Sequence, residues 1–442
     1  MAAAPTADQI RELAGSLIAG ALPVASGDLV DLIGALEDLK SAACGVQAEA
    51  GARFDASRRT EQAAQGVPAA RQGRGVASEV ALARKESPHR GQVLLGFAKV
   101  VRTEMPHTLA RLKDGTLNEW RAMLLVRETS CLSAEHRVFV DEELCADPGS
   151  LDGLGTRRLV AKVRRLAYEL DPKSVVRRAS NAEKDRCVTV RPAPDTMTYL
   201  TGLLPVAQGV AVHAALGRDA DALRAQGDQR SRAQLMADLL VSRITGVGLG
   251  DGSAPPAVPV TVNLTMSDQA LLGGHQPADV SADGVVPEIL PAEIARLLAA
   301  RSLSEGLATW IRQLYVDHTG RLVAMTSKQR LFPDGLADFL SQRDLGICRT
   351  PYCDSPVRHS DHVQPADTGG ETTADNGQGL CEACNYAKQA PGWWQTLVDD
   401  LRHAVETVTP TGHRYQSHAP PPVGWREPRY VRVADGRYQL VA

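Results

Sequence analysis

Four cysteines stand close together in the last quarter of the sequence. Cys348 and Cys353 form a C-x4-C pair and, after 27 intervening residues, Cys381 and Cys384 form a C-x2-C pair. Four thiolates in two such pairs suit a tetrahedral zinc ion with Zn–S distances of about 2.3 Å, closed to solvent and therefore structural. The stretch that carries them, ICRTPYCDSPVRHSDHVQPADTGGETTADNGQGLCEACNYAKQAPGWW from Ile347 to Trp394, is short and polar. It buries too little apolar surface to fold unaided, whereas a structural zinc contributes on the order of 10 kcal/mol to folding. The other cysteines, Cys44, Cys131, Cys145 and Cys187, are scattered and read as small core residues.

Between the two pairs lie Asp361 and His362, then Pro365, Gly369, Gly370, Asp375 and Asn376. If Val357 to Val363 is a strand, alternation sends Asp361 and His362 to opposite sides unless the strand ends or bulges there, for which the oncoming Pro365 gives a reason. Gly369 and Gly370 then return the chain. A helix beginning near Cys381 places Asn385 and Lys388 three apart, on one face, where both can address one phosphate or metal. Lys388 reads as an anion contact or as an ordinary exposed lysine. His359 reads as a second metal ligand, a phosphate contact or a surface histidine.

These residues resemble the HNH endonuclease family, whose unit is two strands and a helix around one catalytic metal, a ββα-metal or His-Me finger. The resemblance implies that Asp361 binds the metal, His362 activates water, Asn376 orients that histidine and Asn385 completes the metal site. Asn385 stands where the family name requires a second histidine, so the chain is an H-N-N variant. An amide oxygen can coordinate a hard cation such as Mg²⁺ or Mn²⁺ but holds transition metals less tightly than imidazole does.

The chemistry fits these residue types. Phosphodiester hydrolysis needs a deprotonated water in line with the leaving oxygen and a cation to neutralise charge building on the phosphate. An imidazole with an ordinary pKa near 6.5 accepts that proton at neutral pH. Asp361 offers an anionic oxygen. The amide of Asn376 has both donor and acceptor with which to grip the loop that carries His362.

The elements that must position this site follow from periodicity. Helical patterning runs from Asp8 to about Leu170, as in Leu159, Val163, Leu166 and Leu170 set among basic residues, and is punctuated by Gly and Pro into a helical bundle over residues 1–180. Residues 55–78 hold Gly66, Pro68, Gly73 and Gly75 with little periodicity and read as a flexible, partly basic loop. A mixed α/β region, 181–330, is expected next. It has strands over Arg186 to Arg191 and Met197 to Thr201, helices over Pro205 to Leu216 and Ser231 to Ile244, a strand over Pro259 to Thr265, and a hairpin from Trp310 to Val316 and Arg321 to Met325. The nuclease-like unit is placed at 340–400 and a β-hairpin tail at 401–442, with strands Arg429 to Val433 and Tyr438 to Val441 about Asp435-Gly436. The mixture of Trp425, Tyr430 and Tyr438 with Arg426, Arg429, Arg432 and Arg437 reads as a nucleic-acid clamp or as an aromatic strand with a basic exterior. The fold class expected is mainly α with a mixed α/β middle and a zinc-stabilised C-terminal unit.

The wider chain resembles actinobacterial 13E12-repeat proteins, in which a helical region of unknown function precedes an HNH unit. The stretches that carry this are ESPHRG (Glu86 to Gly91), EMPHTLARLKDG (Glu104 to Gly115) and VTVRPAPDTMTYLTGLLPVAQGV (Val188 to Val210).

The chain has 442 residues, long enough for two to four domains at roughly 150 residues each. Its 49 Lys and Arg balance 52 Asp and Glu, a net charge of -3, so no global basic field binds polyanions. A local patch must do so. Residues 157–191 carry eleven Lys or Arg against four Asp or Glu, a candidate backbone-binding face or a solvated helix surface. Without a membrane-spanning run or a basic-headed leader, the protein is expected to be cytoplasmic, with DNA as its partner and no small-molecule cofactor. The function expected is a metal-dependent DNA endonuclease. The alternative is a zinc-dependent nucleic-acid-binding or regulatory module without catalysis, and a third reading is a structural zinc domain for protein contacts.

Overall fold

The computed structural model describes residues 6–195, 197–249, 263–282, 285–304, 331–400, 402–421, 429–432 and 438–441, most of them helical. The chain divides into two compact units, Met1–Thr60 with Val93–Arg178 and Glu61–Gln92 with Ala179–Ala442.

The first stretch of chain is all helix: α1 (Ala7–Ala19), α2 (Ser26–Ala64), α3 (Val76–Arg84), α4 (Pro88–Thr103), α5 (Pro106–Lys113), α6 (Glu119–Glu128), α7 (Ala134–Cys145), α8 (Thr156–Leu170) and α9 (Pro172–Ala182). In the first unit these helices bury a core that includes Phe97, Val101, Met105, Leu112, Leu125, Leu144, Leu159 and Val163. Asn118 and Ser133 cap α6 and α7 with their side-chain oxygens. Helix α5 has Met105 at its N-cap and no side-chain cap of its own. Asp141 of α7 supplies one, accepting from the backbone N–H groups of His107 and Thr108 at 2.6 and 2.8 Å.

The basic stripe belongs partly to this packing. Leu159, Val163 and Ala167 of α8 are buried, Arg164 bonds to Glu128 at 2.8 Å, and Arg178 donates to the Glu128 carbonyl at 3.1 Å. Arg157, Arg158, Lys162 and Arg165 are exposed. Residues 55–78 are not a loop. Helix α2 continues to Ala64, a short 3-10 turn spans Ala69–Arg71, and α3 starts at Val76. Gly73 and Gly75 punctuate a tight connection there, both at positive φ.

In the second unit β1 (Cys187–Ala193) and β2 (Met197–Leu203) form the expected antiparallel hairpin. Nearly every residue of it is exposed, Cys187 included, so that cysteine is not a core residue. Helices α10 (Val206–Ala225) and α11 (Arg232–Thr245) pack through Leu216, Ala220, Leu235 and Leu239, and Ser231 with Gln234 forms a capping box on α11. A three-stranded antiparallel sheet follows, in the order β3 (Asn263–Thr265), β4 (Ala278–Ala282), β5 (Val285–Leu290), with the short helix α12 (Asp268–Leu271) between its first two strands and α13 (Ala292–Ser304) after it. The expected hairpin at 310–325 lies outside the described residues, as do residues 259–262 of the expected strand.

The C-terminal part holds α14 (Asp334–Arg343), the hairpin β6 (His359–His362) with β7 (Gly377–Leu380), and α15 (Glu382–Lys388). Next come β8 (Trp394–Val398), β9 (Ala404–Val408) and β10 (Arg414–His418), an antiparallel sheet that sequence reading did not anticipate. It crosses position 400. The tail strands β11 (Arg429–Arg432) and β12 (Tyr438–Val441) pair antiparallel as expected, while Trp425, Arg426 and the Asp435-Gly436 turn lie outside the described residues.

Candidate metal centre and active site

The cysteines meet. Cys348, Cys353, Cys381 and Cys384 are all buried, and their Sγ atoms lie within 4.8 Å of one another. Cys353 and Cys381 are 3.8 Å apart, the separation of about 3.8 Å that two sulfurs have on a tetrahedral zinc. Cys381 is also the N-cap of α15, its sulfur accepting from the Cys384 N–H at 3.4 Å. Hydrogen bonds from Cys348, Cys353 and Cys384 draw the Cys381 thiol far below its ordinary value, and the same contacts push Cys384 up. Without a cation one thiolate excludes others; a dication lets four coexist. The donor set fits zinc.

This cluster ties the segment's first turn to the hairpin. Arg349 N–H donates to the Gly379 carbonyl of β7, and its guanidinium donates to the carbonyls of His403 and Ser417, in the β8–β10 sheet region. Arg343 and Asp344, at the end of α14, fix the other edge. Asp344 accepts from the Gly379 N–H at 2.8 Å, and Arg343 donates to the carbonyls of Ala374 and Gly377. The hairpin is therefore held by buried polar groups on both sides.

Strand β6 pairs with β7 in regular register, Asp361 opposite Gln378 and His362 opposite Gly377. With no bulge, alternation holds, and Asp361 and His362 leave the strand on opposite faces. Asp361 and His359 share the face covered by α15. Lys388 Nζ donates to Asp361 Oδ2 at 2.6 Å and to the His362 carbonyl, and Asn385 Nδ2 lies 2.9 Å from His359 Nδ1. Burial pushes the Lys388 ammonium below its ordinary value, with Asp361 opposing. Asn385 Oδ1 is buried and has no hydrogen-bond partner among the described residues.

That amide oxygen and the Asp361 carboxylate are donors of the type that a hard divalent cation takes. One carboxylate oxygen of Asp361 is held by Lys388.

On the other face His362 is buried. Its Nε2 is 2.8 Å from Thr372 Oγ1, and its ring centroid is 4.5 Å from that of Phe332. Gly377, its cross-strand partner, admits this packing, since a Cβ there would stand 2.6 Å from Leu340 and 2.8 Å from Phe332. Asn376 grips the chain just past the histidine. Its Oδ1 accepts from the Gln364 N–H at 2.9 Å, and its Nδ2 donates to the carbonyls of Gln364 and Glu371 at 3.0 and 2.8 Å. It holds backbone, not the ring. Thr372 and Phe332, which touch the imidazole, were not found from the sequence; neither stands in any spacing pattern with His362.

Residues 348–390, which contain the four cysteines, Asp361, His362, Asn376 and Asn385, match the HNH endonuclease family. Residues 37–344 match the family described as Domain of unknown function (DUF222), which spans well over half of the chain. The chain belongs to that family, as a DUF222 protein with a C-terminal HNH domain. No curated protein and no solved structure matches it. Among the described residues no helix is long and apolar enough to cross a membrane.

Proposed function

We propose that the chain is a metal-dependent endonuclease that hydrolyses DNA phosphodiester bonds, with a structural zinc on the four cysteines and a second divalent ion, Mg²⁺ or Mn²⁺, on Asp361 and Asn385. The match to the HNH family supports a nuclease-type function. The observation that carries the finer reading is the buried Asn385 oxygen, without a hydrogen-bond partner among the described residues, on the helix that covers the face of β6 carrying Asp361.

In this reading Asp361 and Asn385 would hold the ion, which would neutralise charge on the phosphate. To activate the attacking water, His362 must leave its place on the face of β6 opposite Asp361 and reach that water; it takes the proton as the water oxygen bonds to phosphorus and the ester P–O bond breaks, and the leaving oxygen takes a proton from solvent. Thr372 and Phe332 hold the His362 ring in the resting chain, and catalysis requires that hold to be released. Asn376 keeps the backbone after His362 from shifting. His359, hydrogen-bonded to Asn385, and Lys388 line the substrate side. The nuclease domain is placed at 340–400, with the preceding family domain positioning substrate or partners in the cytoplasm.

A second reading, a zinc-stabilised nucleic-acid-binding protein without catalysis, is favoured by the Lys388 ammonium on Asp361 and by the burial of His362 under Phe332. Supercoiled plasmid separates the two. The zinc-loaded full chain is expected to nick it with added Mg²⁺ or Mn²⁺ and not without them; retention of the plasmid without nicking across a panel of divalent ions would establish the second reading instead.

A further inference from the structure

Within the second unit, the segment 61–92 lies against α15 and the turn after it. Gly75, at φ +84°, brings its backbone so close to the HNH region that a Cβ would stand 2.6 Å from Trp393 Nε1 and 3.2 Å from the Ala390 methyl. Farther along, Thr411 donates to Glu79 Oε2 at 3.1 Å. The connection that carries Arg74 is itself pinned. Gln62, buried at the end of α2, accepts from the Gly73 N–H at 2.5 Å and donates to the Arg74 carbonyl at 3.2 Å.

The Arg74 side chain is thereby placed over Tyr386, its guanidinium carbon 5.5 Å from the ring centroid. Tyr386 follows Asn385 on α15 and is 44% exposed, and its ring centroid is 6.3 Å from that of His359. Arg74, Tyr386, His359 and Asn385 thus form one continuous run across the α15 side of β6. Among the described residues the Arg74 guanidinium has no carboxylate partner and meets only the Tyr386 ring. Most of its hydrogen-bonding capacity is unused, on a backbone fixed by two hydrogen bonds and a glycine contact.

We infer that Arg74 grips a backbone phosphate of the DNA bound at the HNH site, so that the family domain of otherwise unknown role supplies a positioning residue to the nuclease face. The inference rests on the reading of that face as a DNA site. A guanidinium offers planar, always-charged donors suited to phosphate oxygens, and stacking on an aromatic ring holds it without neutralising it. Its loop is ordered before the ligand arrives, so little entropy is lost on contact. In a chain of net charge -3, such a locally placed cation is what duplex affinity needs.

The test is equilibrium binding of a labelled DNA duplex to the zinc-loaded full chain without added Mg²⁺ or Mn²⁺, over a range of salt, for wild type, Arg74→Ala, Arg74→Gln and Arg74→Lys. Arg74→Ala is expected to weaken binding about tenfold, the effect of one charge-assisted contact, and to reduce the salt slope by about one phosphate contact. Arg74→Lys restores the slope and part of the affinity. Arg74→Gln, which keeps an amide on Tyr386 without the charge, carries the test should the alanine chain not fold, and is expected to behave as alanine. Wild-type affinity and slope in Arg74→Gln would overturn the inference while leaving the DNA site intact. A wild-type chain that binds no duplex would overturn the DNA reading and this inference with it. A loss seen on RNA but not on DNA would overturn the assignment to DNA.

Discussion

In the proposed function a divalent ion would compete with Lys388 for the Asp361 carboxylate. The ammonium sits on Asp361 Oδ2 and on the His362 carbonyl, largely out of solvent. Replacing it by Lys388→Met removes a positive charge from beside the proposed ligand, and Mn²⁺ affinity measured by electron paramagnetic resonance is expected to tighten about tenfold, as an electrostatic gain of about 1.4 kcal/mol gives. Unchanged affinity would mean that the lysine and the ion do not share the site. The sequence carried the spacing that makes this pair possible, because Asn385 and Lys388 are three apart on a helix. It also carried the alternation that sends Asp361 and His362 apart. It did not carry Thr372 or Phe332. Their contact with the imidazole depends on how the Gly369–Gly370 return and α14 close over β7, a tertiary consequence with no local period.

At the scale of elements, the two cysteine pairs act as the core that the HNH segment lacks. Among the described residues the buried cluster there is the four cysteines with Leu380. Cys381→Ser removes one zinc ligand and the sulfur that caps α15. The expected outcome is loss of bound zinc in elemental analysis and rapid proteolysis between Ile347 and Trp394, since a structural zinc is worth on the order of 10 kcal/mol to a unit this polar. Zinc retained at one per chain with unchanged protection would refute the assignment.

The helical part has a different anchor. Glu128, buried in α6, is bonded by Arg127 and Arg164. Burial alone would raise its carboxyl, but the two guanidinium groups prevail and hold it below 4.5. A lowered folded value contributes stability that is present above the unfolded pKa and lost as pH falls through the folded one. Glu128→Gln is therefore expected to cost about 1–2 kcal/mol near neutrality, with the difference from wild type shrinking below about pH 4.5. Hydrogen exchange of α6 and α8, variant against wild type at each pH, measures it; a difference that persists undiminished in acid would contradict it.

Periodicity and caps made most helices legible, as Ser231 and Gln234 do for α11. Residues 55–78 misled because four Gly and Pro positions outweigh a weakly patterned helix end. The β8–β10 sheet went unread because its five-residue strands pack half-buried, and only the turn at Pro410–Gly412 stands out.

For the molecule as a whole, near-neutral charge leaves recognition to particular side chains, and linear order hides which of them meet. Segment 61–92, far from the HNH unit in sequence, belongs to the same compact unit. No composition shift announces that. The most direct measurement of the central claim is plasmid nicking in Mg²⁺ or Mn²⁺ by wild type and His362→Ala, with zinc determined on the same preparations. The expected result is equal zinc in both and a nicking rate lower in the variant by about two orders of magnitude or more, the contribution of a general base. A His362→Ala chain that nicks as fast as wild type would contradict it.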